Sequence, residues 1–305
     1  MIKHLTAIIA LLAGGYFILS AVDNFDKVPQ LNWNLTSVTI ALLTIVLMLF
    51  GIGIVGSIWH MLLRDSGILN SWKQSQVVYA ISQLGKYLPG NVGHHIGRVV
   101  MAKKIGIPVS ITLNAMLVEM LWGTGIGGGL ALLSLVFFVD NQMPALHLQF
   151  TPMQLGLGVV LLLSMPWLGV GFLNRYSPRL VKRLAGRDVI AAPKLSTALV
   201  VALMFILCFV VMGLILKLQA KWLFGVNEGS VFELMCLFSI AWLAGYLVPG
   251  APAGLGVREA MMLLLMTPLL GAGTAVGLSM TLRVTSTLGD LLAFALGVLV
   301  RKFSP

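Results

Sequence analysis

The hydrophobic positions of this chain form long continuous runs, and most polar residues lie in the short segments between them. Six runs are uninterrupted, and each exceeds about 18 residues, the length an α-helix needs to cross a bilayer. They cover residues 3–21, 35–61, 109–139, 154–173, 195–216 and 274–300. Two further runs, residues 76–107 and 231–270, are each interrupted by a Pro-Gly pair. The pattern predicts an all-α polytopic membrane protein with six full spans and two broken, re-entrant stretches.

The composition supports the same class. Of the 305 residues, 58% are hydrophobic and only 10% are charged, against about 45–50% and about 25% in soluble domains. The first run follows Lys3 and His4, as in a signal peptide, but its exit at residues 21–23 has no small-x-small cleavage site. We therefore expect this run to remain as a membrane anchor. Both cysteines, Cys208 and Cys236, fall inside apolar runs, so we expect no structural disulfide.

The basic residues are distributed unevenly across the predicted spans. With a cytoplasmic N-terminus, fifteen Lys and Arg residues fall on the cytoplasmic side and only Lys27, Lys217 and Lys221 on the other. Cytoplasmic loops of membrane proteins carry such an excess of positive charge. Both termini are therefore predicted to be cytoplasmic, in a bacterial-type inner membrane. The net charge of +10 follows mainly from this bias, and without a soluble basic domain we expect no nucleic acid partner.

The two interrupted runs share one motif, a Tyr shortly before Pro-Gly and an Arg after seven further residues. The motif residues are Tyr87, Pro89, Gly90 and Arg98 in the first run and Tyr246, Pro249, Gly250 and Arg258 in the second. The two Pro-Gly pairs are 160 residues apart, and this offset also aligns the full spans of the two halves. We predict two repeats, residues 1–148 and 149–305. Three full spans per repeat is an odd number, so the second repeat is predicted to be inverted, as in many transporters.

Each Pro-Gly pair is expected to end one half-helix and to allow another to begin after a short link. Proline removes a backbone donor and glycine relaxes the chain. A second half-helix starting near Gly93 or Ala253 would direct its free N–H groups and positive dipole end toward the break, with Arg98 or Arg258 close behind. Such an arrangement attracts anions. The alternative is an ordinary proline kink beside an arginine that extends toward the membrane surface.

The segments "QLGKYLPGNVGHHIGRVVMAKKIGIP" and "YLVPGAPAGLGVREA" resemble the paired signatures of the flippase-like membrane domain of lysylphosphatidylglycerol synthases and its stand-alone relatives. The resemblance covers essentially the whole chain and implies lipid translocation without synthesis, since the soluble synthase domain has no counterpart here. The residues that match the family motifs are Pro89, Gly90, Gly93, Gly97, Arg98, Pro249, Gly250, Gly254, Gly256, Arg258 and Glu259, with Glu119 at an acidic position of the third span. Together with the neighbouring Lys86, Tyr87, His94 and Tyr246, the motif residues are predicted to bind the substrate.

Other ionisable residues fall within or near the predicted spans. Glu119 and Arg283 lie at similar predicted depths, so we expect a buried Glu119–Arg283 pair, either structural or involved in coupling, and Asp290 is a further candidate for such a role. The His94-His95 pair lacks the accompanying Cys or carboxylate ligands that a metal site needs. Headgroup contact or a polar network is the favoured interpretation of the two histidines, whose role the sequence leaves open.

The sequence as a whole favours a lipid translocator for an anionic phospholipid or a polyprenyl-phosphate-linked glycolipid. It contains no Walker A, G-x-S-x-G or H-E-x-x-H motif, so we expect no cofactor and no enzymatic activity of these common kinds. The alternative is a membrane-embedded lipid-modifying enzyme or an accessory subunit of a cell-envelope glycosyltransferase. The expected partners are membrane lipids, with a lipid synthase, a glycosyltransferase or a second copy of the chain as further candidates.

Overall fold

The computed structural model describes residues 2–31, 34–88, 92–135, 151–185, 189–248 and 251–302, and every regular element in these ranges is helical. Both Pro-Gly pairs, Pro89-Gly90 and Pro249-Gly250, lie outside the described residues. The α-helices are α1 (Ile2–Asp23), α2 (Leu35–Asp65), α3 (Trp72–Ser82), α4 (Gly93–Lys104), α5 (Val109–Ser134), α6 (Pro152–Tyr176), α7 (Pro178–Ala185), α8 (Leu195–Leu223), α9 (Val231–Leu247), α10 (Val257–Leu270) and α11 (Ala272–Lys302). The all-α prediction is confirmed for these ranges.

Several helices begin where a polar side chain caps their free N–H groups. The Asn34 side chain accepts a hydrogen bond from the Ser37 amide at the start of α2, and the Ser71 hydroxyl accepts one from the Gln74 amide at the start of α3. Such caps satisfy donors that the first helical turn leaves unpaired. The polar residues between the apolar runs therefore help to define where the helices start.

Five segments of the described chain are long and apolar enough to cross a membrane, and α6 is a sixth if its two limbs, bent by 60°, count as one span. The five are Leu35–Asp65, Val109–Ser134, Leu195–Leu223, Pro252–Leu270 and Ala272–Lys302. Residues 252–270 belong to a predicted broken stretch, yet by length and composition the segment qualifies as a span, with its regular α-helix beginning at Val257. Large apolar side chains are exposed along these helices, as on Leu35, Leu203 and Leu299. Such surfaces fit a lipid environment, and the chain is a multi-pass membrane protein.

Corresponding helices of the two halves begin at nearly constant separation. Helices α2 and α8 start 160 residues apart, and the pairs α3 and α9, and α5 and α11, follow the same order. The packing is reciprocal, because α3 packs against α11 while α9 packs against α5. The first limb of each broken stretch thus contacts the last long helix of the other half.

Candidate functional site

The two broken stretches meet at a central cavity of about 260 Å³. A 3₁₀ turn at Gln83–Tyr87 ends the first limb of one stretch, and it contacts a second 3₁₀ turn at Pro252–Gly254 in the other. Nine of the residues predicted from sequence line the cavity: Lys86, Tyr87, His94, Arg98, Glu119, Tyr246, Gly254, Arg258 and Arg283. The structure therefore brings residues from both motifs into one site.

The first-half arginine is buried and has its own carboxylate. Arg98 on α4 is only 1% exposed, and its Nη1 donates to Oε2 of Glu119 on α5 at 2.7 Å. Its guanidinium group also lies 4.5 Å from the ring centre of Tyr79 and 5.5 Å from that of Trp59. A buried cation needs such compensation, because burial without a partner costs several kcal/mol (about 3–5). Arg98 is therefore electrostatically neutralised within the first half.

The second-half arginine shares its carboxylate with another cation. Arg258 Nη2 lies 3.3 Å from Oε1 of Glu259, its neighbour on α10. The same oxygen accepts hydrogen bonds from Nε and Nη2 of Arg283 on α11, at 2.9 and 2.5 Å. The other carboxylate oxygen, Oε2, accepts from the Gly256 amide at 2.8 Å. Since Arg283 makes the shorter contacts, Glu259 mainly neutralises Arg283 and leaves Arg258 only partly compensated.

A third ion pair joins the first broken stretch to the last helix of the second half. Lys86 Nζ lies 2.8 Å from both carboxylate oxygens of Asp290, and the Tyr87 hydroxyl donates to Asp290 Oδ2 at 2.6 Å. Asp290 is fully buried, with an exposed fraction of 0%. The contact follows from the packing of α11 against this 3₁₀ turn. Asp290 does not itself line the cavity, but it binds two residues that do, and it joins the two halves.

The expected Glu119–Arg283 pair is wrong. Glu119 binds Arg98, and Arg283 binds Glu259. Each long helix packs against the half-helix that immediately precedes it in sequence, α5 against α4 and α11 against α10. Short connections keep these neighbours together, so Glu119 and Glu259 each pair within their own half, unlike Asp290. Similar predicted depth was not enough to identify the partners.

The four cations of the site outnumber its carboxylates. Lys86, Arg98, Arg258 and Arg283 face Glu119, Glu259 and Asp290, which leaves a formal excess of one positive charge among the described residues. Several buried nitrogen atoms of the residues around the cavity also have no hydrogen-bond partner among the described residues: Gln83 Nε2, Arg98 Nε, Arg258 Nε and the Nδ1 atoms of His94 and His95. Unpaired buried polar groups are uncommon in folded proteins. The excess of one positive charge therefore suits the cavity to an anionic group.

The rings of the two histidines lie close together, with centres 3.8 Å apart and planes tilted by 39°. Both line the cavity, and no three His, Cys, Asp or Glu side chains cluster as a metal site within the described residues. Contact with a bound polar group is the role this placement supports for the pair.

Glycines allow the two limbs of each broken stretch to approach one another. A Cβ atom at Gly93 would stand within van der Waals overlap of the Gly85 carbonyl, and one at Gly245 would lie 3.4 Å from the Cα of Gly254. Gly85 and Gly245 each lie four residues before their Pro, a repeated signal that our sequence analysis missed. Gly93 is therefore a packing residue rather than part of the cavity lining, and neither Gly97 nor Gly256 lines the cavity.

The second half-helices begin at different places. Helix α4 starts at Gly93, as predicted, but α10 starts at Val257 rather than near Ala253. Ala253, Gly254 and Gly256 have φ values of 51°, 69° and 83°, a left-handed conformation that cannot continue a right-handed helix. The Glu259 carboxylate caps the late start through the Gly256 amide. The N-terminus of α10 therefore already carries an anion from its own chain.

Tyr79, Gln83 and Trp242 also line the cavity, although sequence reasoning did not select them. Trp242 stacks on Tyr246 with ring centres 4.9 Å apart. Tyr79 and Trp242 lie in the first limbs, α3 and α9, one or two helical turns before the 3₁₀ turn or the helix end. Their distance from the Pro-Gly pairs explains why a local motif did not indicate them.

Comparison with protein families gives one extended match. The family model described as lysylphosphatidylglycerol synthase TM region matches residues 6–293 of the chain. The match includes both broken stretches and all the ionisable residues that form the cavity. A comparison with individual curated proteins returned no match.

Proposed function

Because the chain belongs to the lysylphosphatidylglycerol synthase TM region family, we propose that it moves lipids with an anionic headgroup across the cytoplasmic membrane. Family membership and the apolar helices already indicate a membrane function related to lipids. The observation that carries the finer proposal is the excess cation at the central cavity. A lipid phosphodiester carries one negative charge, which would balance it.

Arg258 is the residue proposed to bind the headgroup. It lines the cavity, and it shares its carboxylate, Glu259, with Arg283. A guanidinium group can offer two parallel N–H donors to a phosphate, which gives both strength and orientation. Gln83 and the two histidines supply further polar groups on the first-half side of the cavity. The headgroup would thus contact both halves at once.

We further propose that residues 1–148 and 149–305 form inverted repeats with both termini in the cytoplasm. The 160-residue offset, the reciprocal packing of α3 with α11 and α9 with α5, and the basic bias of one side support this arrangement. In inverted-repeat transporters the site lies between the repeats near the membrane midplane, and rocking of one repeat against the other exposes it alternately. A headgroup site formed by both halves fits such a mechanism.

Transport rather than catalysis is the proposed role of the carboxylates. Glu119, Glu259 and Asp290 each accept a hydrogen bond from a cation. A general base needs an available lone pair within reach of the proton that it removes. Carboxylates engaged in this way are better suited to fixing the arginines and lysine. The driving force would then come from the lipid gradient, an ion gradient or a partner protein.

A reconstitution experiment tests the proposed transport. Purified protein in proteoliposomes is expected to equilibrate fluorescent phosphatidylglycerol between leaflets faster than phosphatidylcholine, measured by quenching of the outer-leaflet label. Arg258→Gln is expected to slow the phosphatidylglycerol rate at least about tenfold, because one charged contact contributes about 1.5–3 kcal/mol. Arg64→Gln, an exposed cation on α2, is the matched control and should leave the rate unchanged.

If Arg258→Gln moves phosphatidylglycerol at the wild-type rate, Arg258 does not bind the headgroup. If the wild-type protein moves both lipids at equal rates, it has no preference for anionic lipids. Mass spectrometry of the recovered lipids distinguishes transport from lipid modification. A changed lipid mass would favour the enzymatic alternative.

A labelling experiment tests the proposed orientation. In a variant lacking Cys208 and Cys236, a cysteine at Asp23 is expected to react with an impermeant thiol reagent in intact cells, and a cysteine at Arg179 is expected to react only after lysis. The basic bias predicts that these positions are on opposite sides of the membrane. Equal labelling of both in intact cells would contradict the inverted arrangement.

A further inference from the structure

A second pocket of about 360 Å³ lies outside the central cavity, where α3, α4 and α11 come together. Its lining is Ser71, Lys73, Gln74, Val77, Val78, Met101, Lys104, Ile105 and Arg301. None of these residues lines the central cavity. The pocket is therefore a separate feature of the same helices.

The pocket combines three cations with an apolar wall. Lys73, Lys104 and Arg301 come from three different helices, and no carboxylate is among the described lining residues. None of the three forms an ion pair or hydrogen bond with a described residue, in contrast to the cations of the central cavity. All three side chains are exposed and line one pocket, so their like charges repel one another across solvent. An anion bound among them would relieve this repulsion.

The position of Lys73 also argues for a ligand. It lies in the first turn of α3, which begins at Trp72. The N-terminal end of a helix carries partial positive charge, so a lysine there is locally unfavourable, whereas Lys104 and Arg301 lie in last turns, where cations are favourable. A negatively charged ligand would offset the unfavourable placement of Lys73.

The apolar part of the lining indicates what kind of anion fits. Val77, Val78, Met101 and Ile105 provide a hydrophobic wall beside the cations. A free phosphate would leave this wall exposed to water, whereas a lipid can place its phosphate among the cations and its acyl chains along the wall. All three cations lie on the side that the charge distribution assigns to the cytoplasm. Each basic residue near an anionic membrane surface contributes about fivefold to binding.

We propose that this pocket, formed by the ends of α3, α4 and α11, is a second binding site for an anionic phospholipid of the cytoplasmic leaflet. The lipid bound there is not the transported one. It joins the two limbs of the first broken stretch to the last helix of the second half. Those helices also carry Arg98 and Arg283, which line the central cavity, and Asp290, which pairs with Lys86. Occupancy of the pocket therefore stabilises one relative arrangement of the helices that form the central site.

Native mass spectrometry with added phosphatidylglycerol tests this site directly. The wild-type protein is expected to bind two phosphatidylglycerol molecules selectively over phosphatidylcholine, one in each site. The double variant Lys104→Gln/Arg301→Gln is expected to weaken one of the two about twenty-fivefold, at about fivefold per cation. Arg258→Gln should weaken the other. Failure of the central site would therefore appear separately from failure of this one.

The matched control is Lys103→Gln/Lys302→Gln, which removes the same charge from the same helix ends but from residues outside the pocket lining. It should retain both lipids with wild-type affinity. Equal weakening by the two double variants would show a diffuse surface effect and overturn the proposal. Displacement of the lipid by millimolar inorganic phosphate would identify a free-phosphate site instead, and equal binding of phosphatidylcholine would also contradict the proposal.

Discussion

Arg98 and Arg258 occupy equivalent positions in the two halves, but their guanidinium groups have different partners. Arg98 has Glu119 to itself and lies against two aromatic rings. Arg258 competes with Arg283 for Glu259 and lies farther from it than Arg283 does. The arginine of the first motif is therefore neutralised by its own carboxylate, whereas the arginine of the second motif is only partly neutralised. In the proposed repeat arrangement, the first half contains the fully paired arginine and the second half contains the partly compensated one.

The contacts of the tyrosines and glycines beside the two breaks also differ between the halves. The Tyr87 hydroxyl is bound to Asp290, whereas Tyr246 stacks on Trp242 and its hydroxyl has no described hydrogen-bond partner. The close approach of the limbs is also tighter in the first half than in the second. Substitutions at paired positions should therefore have unequal effects.

The largest difference is expected for the arginines. Arg98→Gln should lower the free energy of unfolding by about 3–5 kcal/mol, because it leaves Glu119 buried without a counter-ion. The same change at Arg258 should have a much smaller effect, since Arg283 continues to neutralise Glu259. Thermal unfolding of the purified proteins in detergent measures both.

The control for this prediction is the double variant Arg98→Gln/Glu119→Gln. Removing both charges should recover most of the lost stability, because neither buried charge remains unpaired. If Arg98→Gln alone is as stable as the wild type, the proposed structural role of Arg98 is wrong.

The next difference is expected at the glycines. A Cβ at position 85 would stand 2.5 Å from the backbone of Gly93 and His94, so Gly85→Ala should destabilise the protein toward the upper end of about 1–3 kcal/mol. Gly245→Ala should cost less, because its nearest neighbour would be a side-chain atom at 3.1 Å. Gly97→Ala is the control: its Cβ would find only ordinary contact at 3.6 Å. Comparable melting temperatures for all three variants would show that the tight approach is unimportant.

The smallest difference is expected at the tyrosines. Tyr87→Phe removes the hydrogen bond to Asp290 and should cost about 1.5 kcal/mol, near the lower bound for a bond to a charged group, since Lys86 still pairs with the carboxylate. Tyr246→Phe keeps the stacking on Trp242 and should stay within about 0.5 kcal/mol of the wild type. Denaturant or thermal unfolding curves separate the two values. A larger loss of stability for Tyr246→Phe than for Tyr87→Phe would contradict the interpretation that the first half contains the more strongly bonded tyrosine.

The sequence by itself determined the class of the protein, the positions of most helices and the candidate residues. A long, continuous apolar run can satisfy its backbone hydrogen bonds within a bilayer by forming a helix, because a helix pairs its own backbone groups. The repeated motif was also visible, since its spacing is local. For the same reason the start of α4 was predicted correctly, whereas the later start of α10 depends on the left-handed backbone at Ala253, Gly254 and Gly256.

Only the tertiary structure decided which charges pair. Arg98 meets Glu119 and Arg283 meets Glu259 because each long helix packs against its preceding half-helix, and Lys86 meets Asp290 because helices of opposite halves exchange partners. Ion pairing depends on distances of a few ångströms between groups that are 21 to 204 residues apart in the chain. The sequence gives the depth of a residue along a helix but not the face that it shares with a neighbour. The shared carboxylate that leaves Arg258 partly compensated is therefore a property of the packing.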